Sequence, residues 1–536
     1  MKLAYLSIIA LTAFMPVATD AKETGSKNDP EMVIPNGEGL EFFLNQPGFR
    51  YGFRDKDRTL VRPHHEAGLL AGPISALSAA KSTKYLGEED TIHRFEVILQ
   101  DGRKILVRME FTGNTARFEL ENPAGDPIAM ALRNAGASPG YGLGDMVTAG
   151  WRGSKQDKAH RYQTEITGYA SYDFRSTTGS AARMMSNFAI YPADRFAVVN
   201  IDPGAKIVVS KSDEILQGSR HTSRIDALYY FLRSPADIYA AFRKARNRHG
   251  FPVMQPGYDM NQDRGPVNTL ALAYSGFPLT YMDIVGGLFG GREFDGEVSD
   301  RIKTYLMRNA RTASLHSSIS MGKGPWHYND PLVSEILLEC ANLHARLHPY
   351  IHSNAIKFYR DGYPHTMTPL PIAFPDDPRV HGRENSSVRG FQRMIGDALM
   401  ACPLYGEDYE TATTRDIYLP QGVWIDYDEG TLHEGPVMLE NFPMPVTKTP
   451  LFVGGTGIVV EEIDGELMAR IYPVAERAET TFIGRDGKTV STITIAKPDW
   501  ENPVITDVKT GTKITSQVIR HAHQFTLQEG QDYLIR

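Results

Sequence analysis

The sequence predicts a multidomain protein with β and α/β parts: an N-terminal β-sandwich, an α/β middle segment and a C-terminal β region. Three observations predict this order. Period-two alternation broken by turn residues runs from about Glu38 to Leu232, the signature of antiparallel strands. Helical spacing with capping signals takes over at Ser234 and continues to the neighbourhood of Pro369. Beyond Pro369 strand patterns return and persist to Arg536. A chain of 536 residues, 41% hydrophobic and 23% charged, is too long for one domain and too ordinary in composition to be disordered or fibrous.

The charge balance narrows the function. A net charge of −7 without a long Lys/Arg block argues against a protein that holds nucleic acid or an anionic membrane surface. A neutral or weakly charged ligand fits better. Two cysteines, Cys340 and Cys402, cannot supply a disulfide framework or a four-thiolate metal site. At the N-terminus, Lys2, the apolar run from Leu3 to about Met15 and the small residues near Ala18 and Ala21 have the layout of a secretory signal peptide over 1–21. A soluble, secreted or periplasmic protein is therefore expected. No later stretch approaches the roughly 18 continuous apolar residues of a membrane span.

The elements follow in order. Arg94 to Phe111 is a predicted hairpin, with Asp101-Gly102 turning between two β-rich arms. Phe188–Pro192 and Phe196–Asp202 form a second predicted pair about the polar corner Ala193-Asp194-Arg195. Ser234-Pro235-Ala236-Asp237 combines an N-cap, a proline at the first helical position and an acid in the first turn, so a helix starts there and carries Ile238, Tyr239 and Phe242. It stops at His249-Gly250, before Pro252 and Pro256. Leu270 to Tyr274 is an apolar helix end, followed by a Gly-Phe-Pro turn and a short buried strand that ends in Asp283. Another helix begins near Pro331, carries Leu332, Ile336, Leu337, Leu343 and Leu347, and is interrupted by Pro349.

Candidate chemistry gathers in the middle segment. Asp259, Asp263 and Asp283 stand close together in sequence. Paired carboxylates serve glycoside hydrolysis, where one protonates the leaving oxygen and the other attacks or stabilises an oxocarbenium-like centre. Acids are equally at home in turns, where they bond nearby backbone, so residue type alone leaves both readings open. An acid at the C-terminal end of a strand before a glycine-rich loop is where a (β/α) barrel places ligand-binding groups. His344, His348 and His352 recur every four residues, but without H-E-x-x-H they make a packed or solvated face rather than a metal site. Trp326, in Gly324-Pro-Trp-His327, is either a sugar-stacking platform or a core tryptophan. No nucleophile elbow and no phosphate-cradling glycine pattern is present.

Several separated motifs resemble those of glycoside hydrolase family 31, the retaining group that includes α-glucosidases and α-xylosidases. Tyr141-Gly-Leu-Gly-Asp145, Ser234-Pro-Ala-Asp-Ile238, Ser275-Gly-Phe-Pro with Asp283-Ile-Val-Gly-Gly287, and Leu343 to Ile351 occur in the family's order. Pro369 to Asp377, Gly396 to Pro403 and Arg415 to Trp424 complete the set. The resemblance implies an N-terminal β-sandwich at 22–232, a (β/α) barrel at 233–375, and proximal and distal C-terminal β domains at 376–460 and 461–536. It also implies an oligosaccharide or glycoside substrate and neither metal nor cofactor. By the same resemblance Asp259, in Asp-Met-Asn-Gln, corresponds to the nucleophile and Asp263 to the acid/base. Asp283, His316 and Trp326 become substrate contacts.

The middle segment is short for this architecture. Residues 233–375 number roughly 140, against the about 250 of a complete (β/α)8 barrel. The barrel is thus expected to be truncated. Two functions remain: a retaining glycoside hydrolase acting on α-linked sugar, or a catalytically inactive relative that binds carbohydrate or packs against a partner.

Overall fold

The computed structural model describes residues 31–536 apart from 46, 56–57, 65–66, 73–76, 135–138, 145–184, 202–205, 210–213, 219–222, 247–254, 258–264, 283–284, 286–298, 323, 382–390 and 405–410. The expected signal peptide lies outside the described residues. The chain divides into two compact units, 1–145 with 165–250, and 146–164 with 251–536.

The first unit is a β-sandwich. Strands at Glu31–Pro35, Leu40–Asn45, Arg50–Asp55, Arg58–Pro63 and Ile128–Asn134 belong to one layer. Strands Ile92–Leu99, Lys104–Thr112, Thr115–Glu121, Arg224–Phe231 and Phe196–Asn200 belong to the other, and neighbours pair antiparallel throughout. Buried and exposed positions alternate along Lys104–Thr112, so each strand turns one face inward. The core between the layers is aromatic: Phe42, Phe53, Phe95, Phe118 and Tyr229 pack with ring centroids 5.5–6.2 Å apart in their contacting pairs.

Both predicted hairpins form. Ile98 pairs with Lys104, the Gly102 amide donates to the Leu99 carbonyl at 3.0 Å, and Gly102 takes a φ of 88°. In the second hairpin Tyr191 pairs with Phe196 and the Asp194 amide closes the corner onto Tyr191 at 3.1 Å. Tyr141–Gly144 adds beside Met185–Tyr191 through a bulge. Gly142 is required there: its φ is 115°, and a Cβ would stand 2.5 Å from the Phe188 carbonyl oxygen. Helix α1, Pro235–Arg246, starts where predicted. Ser234 Oγ accepts from the Asp237 amide at 3.2 Å and donates to its carboxylate at 2.7 Å, and Phe242 stacks on Phe188 at 4.1 Å.

The second unit begins with α/β structure. Gln255–Gly257 and Thr280–Met282 pair in parallel, with helix α2, Gly265–Tyr274, between them in sequence. Helix α3, Asp300–Ala313, leads to a further parallel bridge between Val285 and Met321. Three parallel segments with intervening helices are therefore present among the described residues. Helix α4 spans Pro331–Asp361, and the short α5 spans Leu370–Ala373.

Helix α4 corrects one expectation, because it continues through Pro349 instead of ending there. Proline in a helix interior costs about 3 kcal/mol through the lost hydrogen bond and the ring clash. Leu343, Leu347, Tyr350 and Ile351 on either side are buried against Ile395, Leu399, Ile425 and Val453 of the following sheet. At roughly 1.5–3 kcal/mol per buried side chain, that packing exceeds the proline penalty.

The start of α4 yields a pH prediction. Asp330 caps it by accepting from the Val333 amide at 3.1 Å and pairs with Lys303 at 2.7 Å. The Lys303 bond and the backbone N–H groups hold its carboxyl below the usual range. A depressed folded-state value gives stability that is complete above the unfolded value of about 3.9 and is lost as pH falls through the folded one. Asp330→Asn keeps a capping oxygen and removes the charge. Its unfolding midpoint should lie below wild type at pH 7, with the gap closing below about pH 4; a gap constant with pH would refute this linkage.

The C-terminal portion is mainly β. A six-stranded sheet runs from Thr368–Pro369 to Leu451–Val453, and its fully buried Trp424 donates to the Pro420 carbonyl at 2.8 Å. A four-stranded sheet beginning at Ile458–Ile463 and a five-stranded sheet beginning at Arg477–Ile483 share a second core of Ile458, Ile471, Phe482, Ile493, Phe525 and Tyr533. Cys340 and Cys402 are both buried and free. No helix among the described residues is long and apolar enough to cross a membrane.

Candidate functional site

The candidate site is the end of the parallel strand pair. Its register is Gln255 with Thr280, Pro256 with Tyr281 and Gly257 with Met282. From Gly257 the chain enters 258–264, and from Met282 it enters 283–284. Those segments hold Asp259, Asp263 and Asp283, which lie outside the described residues.

The strand pair is held by polar contacts from the elements around it. Ser317 Oγ donates to the Thr280 carbonyl at 2.7 Å, and Thr366 Oγ1 donates to the Pro278 carbonyl at 3.1 Å. The Val285 amide donates to the Ser320 carbonyl at 2.9 Å, and the Gly322 amide returns to the Val285 carbonyl at 2.9 Å. Residues Thr269 to Tyr274 of α2 are buried, as the apolar run Leu270–Tyr274 requires.

His316 is in the interior, with 1% of its surface exposed. Its Nδ1 stands 2.9 Å from the Thr312 carbonyl and 3.2 Å from Arg393 Nη2, and its Nε2 stands 3.4 Å from Thr269 Oγ1. Nδ1 can serve only one of its neighbours at a time: protonated it donates to Thr312, and unprotonated it accepts from Arg393. Burial, followed by the Arg393 charge, pushes its pKa well down, so the ring is neutral at physiological pH. In this position His316 braces the segment behind the strand ends and gives no surface to solvent.

Trp326 has the opposite surroundings. It lies on the turn Pro325–His327, is 78% exposed, and has the His327 ring 5.5 Å away. Of the two readings left by its sequence context, the surface platform is the one its position allows. The structure does not bring Trp326 and His316 into a shared environment.

The histidine series also has a definite place. His344 Nδ1 donates to the Ser314 carbonyl at 3.0 Å, while the His348 and His352 rings stack at 5.9 Å. Among the described residues no group of three or more His, Cys, Asp or Glu side chains could hold a metal ion.

Sequence reasoning missed Arg393. It is fully buried, donates to the Leu315 carbonyl at 3.3 Å and faces His316 across 77 residues of chain. An arginine in an ordinary strand context carries no local signal of such a partner. Its short strand, Arg393–Ile395, is buried at every position, so the guanidinium must find its partners inside the fold.

Comparison with known proteins adds to this geometry. The model of the glycosyl hydrolase family 31 C-terminal domain matches residues 362–459. The chain is 25% identical over 190 residues to a 1,6-alpha-glucosyltransferase of Sporosarcina globispora, covering 32% of this chain and 14% of that protein. It is 26% identical over 202 residues to the myogenesis-regulating glycosidase of Mus musculus, covering 37% and 26%. The chain thus matches only about a quarter or less of the length of these curated relatives. A solved family 31 sulfoquinovosidase from E. rectale superposes with a TM-score of 0.53 at 9% identity, covering 79% of this chain and 97% of that one, which is a likeness of fold. Residues 362–459 thus match the C-terminal domain of glycoside hydrolase family 31, and the chain is similar in sequence to glycosidases and glucosyltransferases and in fold to a solved member of that family.

Proposed function

We propose that this protein hydrolyses the glycosidic bond of an α-linked oligosaccharide or glycoside with retention of configuration. The carrying observation is the parallel strand pair, which ends where the chain enters the segments that hold Asp259, Asp263 and Asp283. Asp259 acts as nucleophile and Asp263 as acid/base, the pair of carboxylates that a retaining displacement requires. Asp283 binds a substrate hydroxyl and Trp326 offers its exposed ring face to the sugar. Residues 233–375 form an abbreviated (β/α) barrel in this reading, and the pattern from Lys2 to Ala21 supports export.

Neither chemistry nor recognition in this scheme draws on a metal. Asp263 first protonates the leaving oxygen while Asp259 attacks the anomeric carbon, giving a covalent glycosyl ester. Asp263 then takes a proton from water as that water displaces Asp259.

One observation favours a second reading. The short middle segment presents three parallel strand segments among the described residues, where a complete barrel has eight. An inactive relative that binds carbohydrate would have this form. Incubating the full chain with 4-nitrophenyl α-glucoside, α-xyloside and α-isomaltoside separates the two. Hydrolysis whose first-formed sugar is the α-anomer supports the retaining mechanism, and a β-anomer overturns it. Saturable sugar binding with no release of nitrophenol from any of the three supports the second reading.

A further inference from the structure

A polar cleft of about 430 Å³ lies where the end of helix α4 meets the C-terminal sheets. That volume is within the about 300–1,000 Å³ of small-molecule sites. The last turns of α4 supply Lys357, Arg360 and Asp361, the turn after Arg393–Ile395 supplies Asp397, and strand Arg477–Ile483 supplies Glu479 and Thr480. None of these residues belongs to the parallel strand pair or to the acids that follow it.

The cleft is built around a fixed frame. Tyr350 is buried, and its hydroxyl accepts from the amides of Asp397 at 3.1 Å and Ala398 at 3.0 Å. The same hydroxyl stands 3.1 Å from the Ile395 carbonyl and 3.2 Å from Asp397 Oδ1. Gly396 takes a φ of 62° beneath it, and a Cβ there would stand 2.3 Å from that oxygen. Thr480 Oγ1 donates to the other oxygen of Asp397 and accepts from Lys357 Nζ at 3.4 Å. Asp361 is tied to His365 at 2.8 Å.

Lys357 is the group left wanting. It is half-buried, and its one hydrogen bond among the described residues is the long contact to Thr480. Burial lowers its pKa against the pull of Asp397 and Asp361. An ammonium in this state gains from acceptor oxygens that replace lost water.

The charges around it restrict the ligand. An anion drawn to Lys357 and Arg360 would meet the carboxylates of Asp361, Asp397 and Glu479. A cation drawn to the carboxylates would meet the ammonium and the guanidinium, and among the described residues no metal-holding group of acids is formed. A neutral molecule bearing several hydroxyls satisfies both, because each hydroxyl accepts from a cation and donates to a carboxylate. We propose that this cleft is a binding site for a neutral mono- or disaccharide, whose vicinal hydroxyls bridge the Lys357 ammonium and the carboxylates of Asp397 and Glu479.

The test uses the full chain titrated with glucose and with isomaltose, followed by calorimetry and by saturation-transfer NMR. Saturable binding is expected in wild type and in Asp283→Asn, which disables the strand-end site. Lys357→Met and Glu479→Gln should each weaken it about tenfold or more while unfolding at the wild-type midpoint. Absence of saturable binding by either sugar overturns the proposal. So does binding that Asp283→Asn abolishes and Lys357→Met leaves unchanged, or displacement of the sugar by inorganic phosphate. Because binding is read without turnover, failure of the hydrolase reading leaves this test intact.

Discussion

Asp259→Ala should lower kcat on an aryl α-glycoside by about three orders of magnitude or more, because in the proposed mechanism it removes the nucleophile from a two-step displacement. The first step makes an ester between the enzyme and the anomeric carbon, and without the carboxylate no group takes its place. Azide supplied in solution should restore part of the lost rate and yield a glycosyl azide of inverted configuration. Asp263→Ala should behave differently. Its rate on a nitrophenyl substrate should fall less than on an alkyl glycoside, because a good leaving group needs little protonation. Equal turnover by wild type and Asp259→Ala would remove Asp259 from the site. A glycosyl azide of inverted configuration from the Asp263 variant and not from the Asp259 variant would exchange the two roles.

The largest expected loss of stability is at Asp426. Its carboxylate and the Lys448 ammonium pair at 2.8 Å with side-chain exposures of 1% and 6%. Asp426 also accepts from the amides of Asp428 at 2.9 Å and Glu429 at 3.1 Å, and so fixes the turn in which the chain reverses. Lys448 reaches Glu429 at 3.1 Å and lies over the Phe442 ring at 5.6 Å. Burial works against the charged lysine, but the bonds to Asp426 and Glu429 outweigh it and raise its pKa. Asp426→Ala leaves the buried ammonium with only the exposed Glu429 carboxylate and frees two amides, a loss of about 3 kcal/mol. Asp426→Asn keeps an oxygen for the amides and should lose less. Pairing Asp426→Leu with Lys448→Met should recover much of the loss, since a matched apolar pair carries no desolvation penalty. Urea unfolding of the four chains measures this; a loss below about 1 kcal/mol in Asp426→Ala would show that the pair contributes little.

Local features were legible because their partners are close in sequence. The Asp101-Gly102 turn, the Ser234 cap and the Ser275–Leu279 turn each follow from a few adjacent residues, and all three are present. The placement of His316 and Trp326 was not legible. One ended inside the molecule and the other on its surface, although only nine residues of chain lie between them. A histidine and a tryptophan are each compatible with either environment, so the neighbours decide. Pro349 lies inside a helix against the local rule because packing on the flanks of the helix outweighs its penalty.

By itself the sequence determined the order of β, α/β and β parts, the turns and caps that bound their elements, and the motif set that points to family 31. It also set the shortness of the middle segment, which bears on activity more than any single residue does. The tertiary structure alone decided which side chains meet. The Lys448–Asp426, Arg393–His316 and Lys357–Thr480 contacts close loops of 22, 77 and 123 residues. Turn and cap chemistry acts over about four residues and leaves its pattern in the chain. Contacts across such distances depend on how whole sheets and helices pack, and packing places in one cleft residues that share no pattern in sequence.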